Sequence, residues 1–236
     1  MTTVLEVSAL TGGYNGLAVV RDVDLSVTAG RVMVLMGPNG AGKTTVLKTI
    51  AGIIPPMSGD IAVLGSAPSV RRPHVNARRG LAYVPDDRCL FRNLSARRNL
   101  QLAAHRTKTD IETVFEYLPE LERILDRQAA VLSGGEQQML AVARALLCQP
   151  KLLMIDELSM GLAPVIVERL LAVVRRIADD LGIGVLLVEQ HVHLALGIAD
   201  EAAILSHGRL MVSGRSEDVA AQAEEIEAGY LGATVT

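Results

Sequence analysis

Gly37-Pro38-Asn39-Gly40-Ala41-Gly42-Lys43-Thr44 fits the pattern G-x-x-x-x-G-K-[ST], and no other stretch constrains the fold as tightly. The apolar run Val32–Met36 precedes it and reads as a buried strand. Helix-compatible spacing follows from Thr44 to Ala51. Strand, glycine-rich loop and helix together form a phosphate cradle. The glycines let backbone N–H groups converge on phosphate oxygens, and the helix N-terminus adds positive potential. Lys43 is expected to reach the outer phosphates and the Thr44 hydroxyl to ligate Mg²⁺. Gly37, Pro38, Asn39, Gly40, Ala41, Gly42, Lys43, Thr44 and Thr45 are the candidate nucleotide-binding positions. The expected ligand is a nucleoside triphosphate.

Composition narrows the class. With 50% hydrophobic residues among 236, the chain can bury a full core. Aromatics make up only 3% and Trp is absent, so that core is built from Ala, Val, Leu and Ile. A net charge of −3 gives no global reason to expect nucleic acid. No apolar stretch approaches the roughly 18–20 residues that span a bilayer. The start, Met-Thr-Thr-Val-Leu-Glu-Val, has neither a basic region nor an apolar run, so no secretory leader is expected. Cys89 and Cys148 are too few for a disulfide framework and read as inert thiols in a reducing cytosol.

Along the chain, Val4–Val7, Leu17–Val20 and Val23–Val27 read as short strands divided by glycine turns. Ile54-Pro55-Pro56-Met57-Ser58-Gly59 reads as a breaker, with strands at Ile61–Leu64 and Leu81–Val84 beyond it. Spacing predicts helix from Leu94 to about Ala130, where Thr109-Asp110-Ile111-Glu112 resembles a capping box and Pro119 marks an end. Helices over Glu136–Cys148 and Pro164–Asp179 then alternate with strands over Leu152–Ile155 and Val185–Val188. Such alternation predicts a parallel sheet covered on both faces.

Two further segments carry chemistry. The strand Leu152–Ile155 ends in Asp156 and Glu157. An acid so placed helps hold Mg²⁺ in phosphate-loop enzymes, which suits Asp156. Glu157, one residue on, points elsewhere and is the candidate base for the attacking water. Leu132-Ser133-Gly134-Gly135-Glu136-Gln137-Gln138 opens an Ala/Leu-rich helix and offers a second anion site at a helix N-terminus.

Taken together, these three segments in this order resemble the ATP-binding subunit of ABC transporters over essentially the whole chain. Tyr83-Val84-Pro85, Leu132–Leu140, Gly161-Leu162-Ala163-Pro164 and Leu187-Val188-Glu189-Gln190 resemble the second ATP-binding protein of branched-chain amino-acid importers. The resemblance implies an α/β P-loop NTPase fold, with a RecA-type parallel sheet core, an N-terminal antiparallel β subdomain and an inserted α-helical subdomain. It puts the helical subdomain at about 91–144, with about 1–90 and 145–236 forming the remainder. It further implies ATP and Mg²⁺, a second ATP-binding subunit (identical or paralogous), transmembrane permease subunits and, indirectly, an extracytoplasmic solute-binding protein. The chain would then sit in the cytoplasm, peripheral on the inner face of the membrane. In such a pair, ATP on one subunit is capped by Ser133, Gly134, Gly135 and Gln137 of the other. Tyr14 sits where the family places an aromatic on the adenine.

Departures from the family pattern bear on activity. Asp86 stands where a glutamine usually contacts Mg²⁺ and water; a carboxylate can ligate the metal but, ionised, donates no hydrogen bond. Gln190 takes the slot of the switch histidine, with His191 next to it. Leu158 replaces a proline and Ala163 an aspartate. These departures leave open a weakly hydrolysing structural partner in a heteromeric complex, and the resemblance leaves urea or short amides as competing cargo. Ten basic residues lie between Arg71 and Lys108 against only Asp86 and Asp87, whereas 217–227 is acidic. Arg97 and Arg98 in the first turn of a helix capped by Ser95 oppose its dipole. With Arg92, they are expected to meet acidic groups of the permease or anionic headgroups.

Overall fold

The computed structural model describes residues 2–190 and 192–222. The acidic tail beyond Gln222 and His191 lie outside them. Among the described residues, nine strands form two sheets. β1 (Thr3–Tyr14), β2 (Leu17–Thr28) and β4 (Pro56–Val63) make an antiparallel sheet in the order β2-β1-β4. β3 (Val32–Met36), β5 (Leu81–Val84), β6 (Leu152–Asp156), β7 (Gly184–Glu189), β8 (Glu201–Ser206) and β9 (Arg209–Arg215) make the larger one. Its order is β5-β6-β7-β3-β8-β9, parallel throughout except for β9.

β3, β6 and β7 are buried on both faces, and their side chains alternate between two cores. Val32, Val34, Met36, Leu153, Ile155, Val185 and Leu187 face the helices α4 (Gly134–Leu147) and α5 (Pro164–Leu181). Met33, Leu35, Leu152, Met154, Leu186 and Val188 face α1 (Lys43–Ile50) and the antiparallel sheet. The expected parallel sheet is therefore covered on both faces, one of them partly by a second sheet.

Several sequence expectations change. Leu94 to Ala130 is not continuously helical. Only α3 (Ala96–Ala104) is an α-helix there, followed by 3-10 turns at Ile111–Glu116, Pro119–Ile124 and Ala129–Val131. The capping box fails by one residue: Asp110 is the cap, its carboxylate accepting the Glu112 N–H at 3.0 Å, while Thr109 pairs with Thr107. Pro119 opens a turn rather than closing one. Four of the six residues of the supposed breaker, Pro56–Gly59, belong to β4. Helix α2 (Pro73–Arg79) was not expected, because its arginines and histidine form no apolar stripe. Helix α6 (Val192–Leu196) follows β7.

Helix α5 ties the 3-10 segment to the sheet. The Arg176 guanidinium lies 4.9 Å over the Tyr117 ring and pairs with Glu116 at 2.8 Å, and Arg169 pairs with Glu120. Arg175, adjacent to Arg176, reaches Asp200, at the entry to β8. Asp200 also accepts the Val32 N–H at 2.8 Å and pairs with Arg31. Burial pushes this carboxyl up, but Val32, Arg175 and Arg31 more than offset it and hold it below the usual range.

Candidate active site at the ends of the parallel strands

The carboxyl ends of β3, β6 and β7 bring the phosphate loop, Asp156, Glu157 and Gln190 to one edge of the sheet. Gly42 caps α1 at φ 108°, and a Cβ there would lie 2.4 Å from Val20 Cγ1. Only glycine fits. No side chain caps α1, and its first turn holds no acid, so its leading N–H groups are open to an anion. Lys43 is 4% exposed and folds back over the loop, donating to the Gly37 carbonyl at 2.7 Å and to that of Pro38 at 3.1 Å. Burial pulls its pKa down, against the pull of Glu157 and Asp156. A phosphate would supply the counter-charge that those two carbonyls only approximate.

Asp156 is fully buried at the end of β6. Its Oδ2 accepts from the Tyr83 hydroxyl at 3.2 Å, whereas Oδ1 has no hydrogen-bond partner among the described residues. Burial raises its pKa, with Thr44 and Tyr83 opposing and Asp86 and Glu157 reinforcing. An orphaned buried carboxylate oxygen beside Thr44 suits a small hard cation that also takes phosphate oxygens. No cluster of three acidic, His or Cys residues capable of holding a metal without such phosphates occurs among the described residues. Asp86 is exposed just beyond β5, near enough to Asp156 to raise its pKa.

Glu157 adopts φ 51°, unusual for a non-glycine residue. Its N–H donates to the Val188 carbonyl at 3.0 Å, which holds the turn, and its Oε1 lies 3.7 Å from Lys43 Nζ. Gln190 is exposed at the end of β7. Sequence reasoning missed Glu189 before it. This residue is 1% exposed and accepts from the Ser159 N–H at 2.9 Å, its hydroxyl at 2.6 Å and the Gln190 N–H at 3.1 Å. It fixes the segments after Glu157 and at Gln190 against each other. An acid at the end of a buried strand was the available signal.

The signature segment lies elsewhere, at the start of α4. Ser133 and Glu136 form a capping box: Ser133 Oγ accepts the Glu136 N–H at 3.3 Å, and Glu136 Oε2 accepts the Ser133 N–H at 2.7 Å. A Cβ on Gly135 would come within 3.0 Å of Ile166 Cγ2, so glycine lets α4 approach the start of α5. Gly134 and Gly135 are partly exposed and Ser133 is exposed. Gln137 turns inward, its Nε2 donating to the Ala129 and Leu132 carbonyls at 2.9 and 3.2 Å. Tyr14 is 42% exposed at the tip of the β1–β2 hairpin, whose Val19 and Val20 pack on Gly42.

The ABC transporter family pattern matches residues 20–159, from β2 through the loop after β6. This chain belongs to the ABC transporter ATP-binding family. It is therefore an ATPase cassette. Among its relatives is the probable branched-chain amino acid transport ATP-binding protein LivF of Archaeoglobus fulgidus, 36% identical over 92% of this chain and 94% of the relative. The lipopolysaccharide export system ATP-binding protein LptB of Escherichia coli is 34% identical over 94% and 95%. A solved ATP-binding subunit of an ABC transporter superposes with a TM-score of 0.79 at 32% identity, covering 94% of each chain. Among the described residues no helix is long and apolar enough to cross a membrane.

Proposed function

We propose that this cassette hydrolyses ATP to energise import of branched-chain or related amino acids through separate membrane subunits, from the cytoplasmic face. The observation that carries the hydrolytic part is the left-handed turn that aims Glu157 at the phosphate loop. In this reading Glu157 takes a proton from water as its oxygen bonds to the γ-phosphorus and the bond to the bridging oxygen of ADP breaks. Lys43 leaves the Gly37 and Pro38 carbonyls to meet the outer phosphates. Thr44 and Asp156, with Asp86, would hold Mg²⁺, which when bound would supply charge neutralisation on the phosphates. Gln190 orients the γ-phosphate or water through its amide, and Tyr14 stacks on the base.

Ser133, Gly134 and Gly135 of one cassette close over the nucleotide of another, identical or paralogous. Residues of about 91–144 carry that signature as a helical subdomain. Between α2, α3, α4 and β5 lies a groove of about 600 Å³ lined by Arg78, Arg88, Arg106, Arg144, Phe91 and Leu102, a surface suited to a permease. An extracytoplasmic solute-binding protein would deliver the cargo. Similarity to LivF supports amino acids. The nearly equal similarity to LptB favours lipopolysaccharide export as the second reading.

Two experiments test this. Glu157→Gln in the assembled complex is expected to cut ATP turnover by about 10²–10⁴-fold. Unchanged turnover would make the chain a nucleotide-gated structural partner instead. Co-purified membrane subunits identify the cargo route: an importer permease supports the proposal and a lipopolysaccharide exporter overturns it.

A further inference from the structure

We infer that Arg88 is a positioning residue, tying the Asp86–Asp87 loop to the signature helix and setting how Ser133 and Gly135 are presented to a neighbour's nucleotide. The inference rests on the reading of the signature as acting in trans.

Its backbone is built for this. Arg88 and Cys89 are consecutive non-glycine residues at φ 62° and 43°, a pairing that persists only when its surroundings enforce it. They do so here at three points. The Arg88 N–H donates to the Pro85 carbonyl at 2.9 Å, and Asp87 Oδ1 accepts the Cys89 N–H at 3.1 Å. Arg144 of α4 donates to the Cys89 carbonyl at 2.7 Å.

The strained turn projects one guanidinium onto three acceptors in two segments, α4 and the turn after Glu157. Arg88 Nε donates to Gln138 Oε1 at 2.7 Å, Nη1 to Gln137 Oε1 at 3.0 Å, and Nη2 to the Met160 carbonyl at 3.4 Å. A Cβ on Gly134 would lie 3.8 Å from Nη2, so the fork rests against the signature itself. Gln137 relays the hold. With its oxygen on Arg88, both amide hydrogens go to Ala129 and Leu132, the residues that lead the chain into Ser133.

All three acceptors are neutral, and Arg88 forms no ion pair among the described residues. Neutral acceptors are held less strongly than carboxylates, so the fork can be released when the loop moves. A loop that senses the site beside Asp156 is thereby linked to a signature that serves a different site.

The test uses the full chain assembled with its membrane subunits, with the melting temperature of each variant measured alongside. Arg88→Ala is expected to lower kcat for ATP about tenfold while KM stays within about twofold, as for loss of a group that acts only in the closed state. Adding Gln137→Leu should cost nothing more, because both act through one linkage. An unchanged kcat in a folded variant, a loss confined to KM, or additive losses would overturn the inference. If Arg88→Ala does not fold, Arg88→Lys decides. Lysine keeps the charge but not the fork geometry, so a several-fold fall in kcat is expected and parental kcat refutes the role. Ser133→Ala separates the two levels: if it leaves turnover intact, the trans reading itself has failed, whatever Arg88 does.

Discussion

Two helices in this protein start at glycine-bearing segments that the sequence marks for phosphate, yet their N-termini are finished differently. α1 begins after Gly42 with no side-chain cap and no acid in its first turn. α4 begins at Ser133 with a complete capping box and Glu136 in its first turn. Burial pushes the Glu136 carboxyl up, but Ser133 and Arg127 more than offset this and keep it below the usual range. The α1 terminus thus lacks an anion that only a ligand supplies, whereas α4 carries its own. The cradle is built to bind alone. With the Ser133 hydroxyl and the Glu136 carboxylate already paired to backbone N–H groups, the signature is proposed to act on a phosphate that another cassette holds.

If that contrast is right, damage to the two regions separates in kinetics. Lys43→Ala should weaken nucleotide binding to the isolated chain on the order of 100-fold, read by titration with a fluorescent ATP analogue. An unchanged affinity would mean the cradle does not depend on its buried cation. Ser133→Ala should leave that same titration unaltered and lower turnover of the assembled complex by about tenfold. Weaker binding in the isolated chain would erase the distinction between the helices.

A smaller effect lies away from both. Asp200 has its pKa held below its ordinary value of 3.8, so its stabilisation is present above that value and fades as pH falls through the folded-state pKa. Asp200→Asn should cost about 1–2 kcal/mol at pH 7, discounted for partial exposure, with the gap to the parent shrinking below about pH 4. A gap independent of pH in denaturant melts would assign the cost to shape rather than charge. The smallest effect on the chain alone is expected for Arg97→Glu with Arg98→Glu. Arg97 pairs with Asp126 at 3.1 Å in solvent, worth about 0–1 kcal/mol. Melting should barely move, while recovery of the permease by pull-down should fall; equal recovery makes these arginines merely solvated.

The same contrast explains what the sequence could reveal. The strand that leads into the phosphate loop and the strand that ends in Asp156 are buried on both faces, so each is a continuous apolar run that stops at a functional segment. Such runs are legible without tertiary knowledge. Ser95 was likewise read as a cap, and its Oγ accepts the Arg98 N–H at 3.2 Å. The region from Leu94 to Ala130 was misread because Val114, Leu118, Leu121 and Ile124 recur at three- and four-residue steps that 3-10 turns satisfy as well as an α-helix does. The resemblance places Gln137 on a neighbour's nucleotide, whereas in this chain its side chain bonds to Arg88 and to the Ala129 and Leu132 carbonyls. A glutamine at a helix start can face a ligand or its own chain, and only Arg88 and two carbonyls decide the matter.

A structure of the Glu157→Gln cassette with magnesium and ATP, assembled with its partner subunits, puts the division of labour to the proof. The triphosphate should lie between Lys43 of one polypeptide and the serine and glycines of a signature on another. A triphosphate enclosed by a single polypeptide, with every signature turned to solvent, would contradict it.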